Sequence, residues 1–456
     1  MVKRNKIVTS VLAGVLALSL AACGNGNNGG NNASDNKGAN SGGNTNAASG
    51  NSGGASGEKI TITFQNIYPD PNTPSAKTLN KIVGDYEAAH PNIKIELDSL
   101  NTDQQKIKLK TQAASQEVPD ITIVNPKAQM QPYVEAGLLA PLNDMVEQNG
   151  LKDTFQQGIL DFYSFDNNLY ALPDGNNVAV VYYNKELFDQ AGAKIPTTFE
   201  ELIETTKLLK SKGIQPFVIG EKDTWTGSFL FMNVLLRTNN GPGFLQDVMD
   251  KKKTFEDPAF VEAVDSFQNL VQAGAFQEGA TSMDYNAGEN LFKTGKAAMY
   301  FMGSWATGSI DDSSVKGKIG VFKFPTVNGK GDPDQFMLAP GSAFAISAKS
   351  KHLQETKDFL NYFMLNYPKV KFENKDAVGV AQKVDSDLKA AGYSDLAVEI
   401  NGMFKGVKGG DLAFDNTMNP ATAQEHLTAI QNLFVQKTDS KEVAKQHQTA
   451  FEANNK

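Results

Sequence analysis

The chain has 456 residues, 40% hydrophobic and 21% charged, enough for two or three folding units around a large core. Its formal charge of −8 argues against nucleic acid or anionic membrane surfaces as partners for the bulk of the protein. Cys23 is the sole cysteine, so no intramolecular disulfide forms, and His90, His352, His426 and His447 are too scattered in sequence to make a short metal-ligand pair.

Residues 1–22 read as a secretion signal and stand outside the fold. Lys3, Arg4 and Lys6 precede an apolar run from Ile7 to Leu20. At about 1.5 Å per residue that run is too short for a bilayer core of about 30 Å. Losing the signal removes three positive charges and leaves a body of −11. From Gly24 to Gly57 every residue is Gly, Asn, Ser or Ala except Asp35, Lys37 and Thr45. Such a segment cannot offset its ordering entropy, and it predicts a flexible tether with an r.m.s. span of about 30 Å. Gly50-Asn51-Ser52-Gly53-Gly54 matches a nucleophile-elbow pattern by letter only, because no strand precedes it and no helix follows.

Globular composition begins at Glu58. Ile60–Phe64 alternates like a strand, and Leu79, Ile82, Val83 and Tyr86 follow at helical spacing up to His90-Pro91. Ile93–Leu97 is a second strand, Asp103–Gln116 a polar helix, Ile121–Val124 a third strand, and Gln129–Ala136 starts another helix. This order predicts a largely parallel, doubly wound sheet. Leu169–Tyr183 reads as strand interrupted at Pro173-Asp174-Gly175, and Thr198-Phe199-Glu200-Glu201 is a capping box opening a helix through Leu209. Pro216–Ile219 predicts a short strand, Gly227–Phe276 mostly helix, and Leu291–Phe301 a helix passing into a strand across Gly295. Phe344–Ser347 is predicted as strand and Glu355–Leu365 as an amphipathic helix.

No catalytic constellation, cofactor motif or metal-ligand set emerges. Gly295-Lys296 lacks the Ser/Thr and upstream glycine of a phosphate loop, so any ATPase must lie on another chain. The histidines read as surface or helix-capping residues, and Asp311-Asp312 beside Ser313-Ser314 as a solvated turn. The only arginines are Arg4, which leaves with the signal, and Arg237. Bidentate clamps on carboxylate or phosphate normally use arginine, so an acidic body with one arginine points to a neutral, hydroxyl-rich ligand. Such a ligand needs flat aromatic faces and Asn, Gln or Asp for its hydroxyls.

Several segments resemble the family 1 extracellular solute-binding proteins of ABC importers, typified by maltose-binding protein. They are Pro119-Asp120-Ile121; Tyr170–Pro173 with Tyr182–Phe188; Pro196–Leu202; Gly295–Met299 with Gly303-Ser304-Trp305; and Gly341–Ser347. Leu20-Ala21-Ala22-Cys23 resembles the lipobox of bacterial lipoproteins, in which the cysteine becomes N-terminal and takes a diacylglycerol. The resemblance implies an α/β, two-lobed, type II periplasmic-binding-protein-like fold with three crossover segments, placed near Asn177–Val180, Phe324–Thr326 and Ala377–Val380. The lobes would then be residues 58–176 with 326–376, and 177–325 with 377–456, behind a signal (1–22) and a lipidated tether (23–57).

The implied role is capture of a neutral carbohydrate, an oligosaccharide, in the interlobe cleft. Delivery would be to permease subunits served by a separate ATPase, from a lipid-anchored monomer on the outer side of the cell membrane. The rivals are a surface-anchored glycan hydrolase and a sugar receptor that transports nothing. Open α/β sheets bind ligands beyond their strand ends. This selects Gln65, Asn66 and Tyr68 after the first strand, Asn125 after the third, and Asn176 and Asn177 at the first crossover. Trp225, in a loop after Ile219, and Trp305, with its indole projecting beyond Gly303-Ser304, are the stacking candidates. Asp415 stands in the final segment, where family members often carry an aromatic contact.

Overall fold

The computed structural model describes residues 58–455; the signal, Cys23 and the tether lie outside the described residues. The described strands are β1 (Ile60–Asn66), β2 (Ile93–Ser99), β3 (Ile121–Val124), β4 (Ser164–Phe165), β5 (Asn168–Leu169) and β6 (Ala171–Pro173). They continue as β7 (Asn177–Asn184), β8 (Met299–Gly303), β9 (Ile319–Phe322), β10 (Phe336–Ala339), β11 (Ala343–Ile346) and β12 (Gly410–Asp411). One five-stranded sheet runs β2-β1-β3-β11-β6; a second runs β12-β10-β7-β8, with β9 also paired to β7, and β4 and β5 form a two-stranded sheet of their own. Each five-stranded sheet builds a lobe, as the resemblance implies.

In the first lobe, Thr73 caps the helix Pro74–Ala89 by accepting from the Ala76 amide at 3.3 Å, and proline opens the helix. Leu79, Ile82 and Tyr86 are buried on one face of that helix, which packs against the helix Leu353–Glu373. The latter outruns its predicted end at Leu365 and passes through Pro368. Proline deletes a backbone donor there, but Phe363, Met364, Tyr367 and Val370 continue the buried stripe that holds the helix together. In the second lobe β7 is buried almost throughout. Val178, Val180 and Tyr182 enter one core while Ala179 and Val181 enter another, as the two-residue strand period requires.

Three expectations need correction. Among the described strands, parallel pairing is limited to β1–β2, β1–β3 and the short β10–β12 contact. The pairs β3–β11, β11–β6, β7–β8, β7–β9 and β7–β10 are antiparallel. Hydrophobic alternation specifies a strand, not the direction of its neighbour. Second, β10 pairs with β7, so the second passage between lobes falls at Pro340–Ser342 and not at Phe324–Thr326. Phe324 and Pro325 are instead tied inside the second lobe, where their carbonyls accept from Arg237 at 3.0 and 3.2 Å. Third, Pro216–Ile219 makes one bridge, Phe217 to Met299, and no full strand.

The histidines divide. His90 and His352 sit at helix ends as expected. His426 and His447 are fully buried and bonded to each other at 2.8 Å. His447 Nδ1 lies 2.7 Å from the Val443 carbonyl and must donate to it, so its Nε2 accepts from His426 Nδ1–H. That leaves His426 Nε2 to accept from the Ser228 hydroxyl at 2.9 Å. In this arrangement both rings are neutral, and a further proton on His447 Nε2 would set N–H against N–H. Burial, foremost, holds both below the usual histidine value, His447 at about 4.

A depressed folded pKa means that the unfolded chain binds the proton more tightly. The stability from this pair is thus complete above about pH 6.5 and lost as pH falls toward 4. His447 alone accounts for about 3 kcal/mol at the acid end, from about 1.36 kcal/mol per pH unit. Asp174 and Asp411, pushed up to about 6 by burial, act in the opposite sense over part of that window. The expected result is therefore a differential one. The stability gap between wild type and His447→Gln, measured by urea titration, should shrink steadily from pH 7 to pH 4.

Candidate ligand-binding cleft

A cavity of about 650 Å³ opens between the lobes, in the range of small-molecule sites. Its floor is where the chain crosses. The Asp174 amide donates to the Ser342 carbonyl at 2.9 Å, and the Asn176 amide to the Gly379 carbonyl at 2.6 Å, so the three passages are bonded together. Gly379 has φ +71°, and a Cβ there would stand 2.2 Å from Asn177 Oδ1. Only glycine lets the third passage lie against the first.

The second-lobe wall is aromatic. Trp305 packs on Phe229 and Trp225, with ring centroids 5.8 and 6.3 Å away, and its Nε1–H donates to Tyr285 Oη at 3.1 Å. The indole does not project freely as the sequence suggested. It folds back over Gly303, where a Cβ would come within 1.9 Å of the ring, so the glycine makes room for it. Trp225 is the first residue of the helix Trp225–Thr238 and not part of a loop. Its Nε1 is buried without a partner.

The first-lobe wall carries Tyr68, Asn125, Gln129 and Tyr367. Tyr68 Oη donates to Asp174 Oδ2 at 3.0 Å. Six predicted residues, Tyr68, Asn125, Asn177, Trp225, Trp305 and Asp415, line the one cavity. Gln65, Asn66 and Asn176 do not; Asn176 Nδ2 donates instead to Gln156 Oε1 at 2.8 Å. Gln65 is fully buried beneath the sheet end, bonded to Asp98, Gln105, Gln112 and Thr122, because its position on β1 points it into the lobe. Asn66, also fully buried, accepts from the Tyr68 amide at 3.0 Å, a local turn that aims Tyr68 at the cleft. Asn177 lines the cavity, but its Oδ1 is engaged by the Ser304 hydroxyl at 2.8 Å.

Sequence reasoning missed Asp174, Gln129, Tyr285, Tyr367 and the Lys371–Asp376 ion pair, all on the cavity wall. Asp174 had a signal, since it breaks the strand at the first passage. Burial, first of all, pushes it up to about 6; nearby Asp376 adds to the shift, while Lys371 and the Tyr68 hydroxyl oppose it. Burial also raises Asp415, opposed by Lys106. Two of the lysines here are matched internally, Lys371 by Asp376 and Lys293 by Glu289 at 3.4 Å. Arg237 is spent on backbone carbonyls elsewhere. The arrangement offers stacking faces on one wall and hydroxyl-pairing carboxylate and amide groups on the floor and the other wall.

The profile of the bacterial extracellular solute-binding protein family matches residues 70–366. The chain is 28% identical over 332 residues to the multiple sugar-binding protein of Streptococcus mutans, covering 72% of this chain and 76% of that one. A protein solved in work on xylan utilization by Caldanaerobius polysaccharolyticus superposes with a TM-score of 0.79 at 32% identity, over 86% of this chain and 99% of the other. A chitin oligosaccharide binding protein superposes with a TM-score of 0.79 at 27% identity, over 88% of this chain and 100% of the other. With these matches running through both lobes and the cleft between them, the chain belongs to the bacterial extracellular solute-binding protein family.

Proposed function

We propose that this protein captures a neutral oligosaccharide in its interlobe cleft and delivers it to the permease of an ABC importer. The observation that carries the reading is that the Trp225–Tyr285–Trp305 wall shares one cavity with Tyr68 of the first-lobe wall and Asp174 of the floor. Indole and phenol faces cover the C–H side of a sugar ring, and carboxylate and amide groups pair its hydroxyls. The relatives named for multiple sugars and for chitin oligosaccharide support the same ligand class.

A thermal-shift screen against xylo-, chito-, malto- and galacto-oligosaccharides tests this, because ligand at 100-fold its Kd adds about 2.7 kcal/mol. Affinity for the sugar found should differ little between about 0.05 and 0.5 M salt, since no ion pair is screened. A steep loss with salt would replace the neutral ligand with a charged one. Asp174 puts a carboxyl group on the cavity floor, so each oligosaccharide is also incubated and its products are separated. Turnover would sink the binding-only reading.

We further propose that Cys23 carries a lipid that anchors the chain outside the cell. Among the described residues no helix is long and apolar enough to cross a membrane. Cys23→Ser should release the protein into the medium with unchanged sugar binding. Unchanged association with the membrane fraction would refute the anchor.

A further inference from the structure

We propose that Gln129 is a positioning residue for ligand capture, a latch that holds the two lobes closed before any ligand arrives. Gln129 ends the single turn Lys127–Gln129 just beyond β3, on the first lobe. Its amide nitrogen donates across the cleft to Asp415 Oδ2 at 2.8 Å and to Asn416 Oδ1 at 2.6 Å, both on the second lobe. Its Oε1 accepts from Asn125 Nδ2 at 3.1 Å, which orients the amide. A primary amide has two N–H groups, and both are committed here to the opposite lobe.

The receiving end is rigid. Asp415 and Asn416 follow Phe414, which is fully buried and stacked on the ring of His426 with centroids 3.7 Å apart. His426 is in turn bonded to Ser228, on the helix that Trp225 opens. The latch therefore connects the first-lobe wall to the same framework that presents the stacking indoles. Other contacts between the lobes lie on the surface or beside the third passage, where the Tyr393 hydroxyl donates to the Phe372 carbonyl at 2.9 Å. Lys77–Asp312 is a half-exposed surface pair at 3.2 Å, of a kind that contributes little. The Ser75–Asp376 bond lies beside the third passage, where rotation of the lobes displaces atoms least.

This inference rests on the reading of the cleft as a capture site, and it concerns how that site is held. Apparent affinity scales with the fraction of molecules already in the binding-competent form. Deleting both latch bonds should raise the open-to-closed ratio about tenfold, or about 1.4 kcal/mol.

Small-angle X-ray scattering of the ligand-free full chain reads that ratio without knowledge of the ligand. Wild type is compared with Gln129→Ala, Gln129→Glu and, from the other lobe, Asn416→Ala, with far-UV circular dichroism checking that each is folded. All three variants should scatter as more open. Gln129→Glu should be the most open, because it sets a second carboxylate against Asp415. With the sugar identified above, stopped-flow should show dissociation about tenfold faster. Superimposable scattering curves for wild type and all variants, compact or extended, would overturn the latch, as would unchanged dissociation in variants that do open. Variants that open while no sugar binds any form would leave the latch standing and remove the proposed ligand class.

Discussion

Trp305→Ala should weaken sugar binding about tenfold to a hundredfold. Stacking an indole on a pyranose removes some tens of Å² of apolar surface per partner from water. At about 25 cal/mol per Å² this contributes on the order of 1–3 kcal/mol. The ring also packs on Phe229 and Trp225 and donates to Tyr285, so the substitution should lower the melting temperature as well. Because one face borders the cavity, the stability loss should fall short of the 3–5 kcal/mol or so typical of a core tryptophan. Gly303→Ala separates the two roles. It keeps the indole but puts a methyl where the ring now lies, turning the ring out of register with the cleft. Calorimetry and melting on both variants decide the matter. A large melting drop with intact affinity would place Trp305 in the core and remove it from the site.

Arg237→Met should cost about 3 kcal/mol or more of stability while leaving the cleft residues in place. The side chain is fully buried, and its guanidinium donates to the carbonyls of Phe324, Pro325 and Gln335 at 3.0, 3.2 and 3.0 Å. Among the described residues no carboxylate lies within 4.0 Å of it. Burial pulls its pKa down to about 10. Methionine fills similar space but leaves three buried carbonyls without donors, and each such loss costs about 1–3 kcal/mol. Removing a desolvated charge offsets part of that total. Arg237→Lys keeps the charge but lacks the planar fork, so it should rescue only in part. Both tryptophans belong to the second lobe, so their fluorescence reports the lobe that Arg237 holds. A denaturation midpoint unchanged in Arg237→Met would refute this role.

Local signals in the sequence carried far. The Thr198 capping box forms as read, with Thr198 accepting from Glu201 and Glu201 reaching back. The β1, β2 and β3 segments and the helices between them follow their periodicity, because each pattern is complete within one element. Six of the nine body residues selected for the site meet at one cavity, since strand ends and passages converge wherever two sheets face each other. Gln65 and Asn66 failed for a local reason. A strand's last residues alternate between faces, and whether the end opens on a cleft or on its own lobe depends on the neighbouring strand and helix, here β3 and the helix Thr102–Ala114.

By itself, then, the sequence determined most of the element types and the two-lobed class through its ordered motifs. Spacing and composition are properties of neighbouring residues, and they survive without the fold. Only the tertiary structure decided strand direction, the true second passage at Pro340–Ser342, and the two jobs of Arg237 and His426 as internal hydrogen-bonding groups. It alone brought Gln129 to Asp415, 286 residues away in sequence, and Tyr68 to Asp174, 106 residues away. Contacts at such separation follow from how β7, β10 and β11 close the chain on itself, and no local pattern encodes which distant partner a buried polar group will meet.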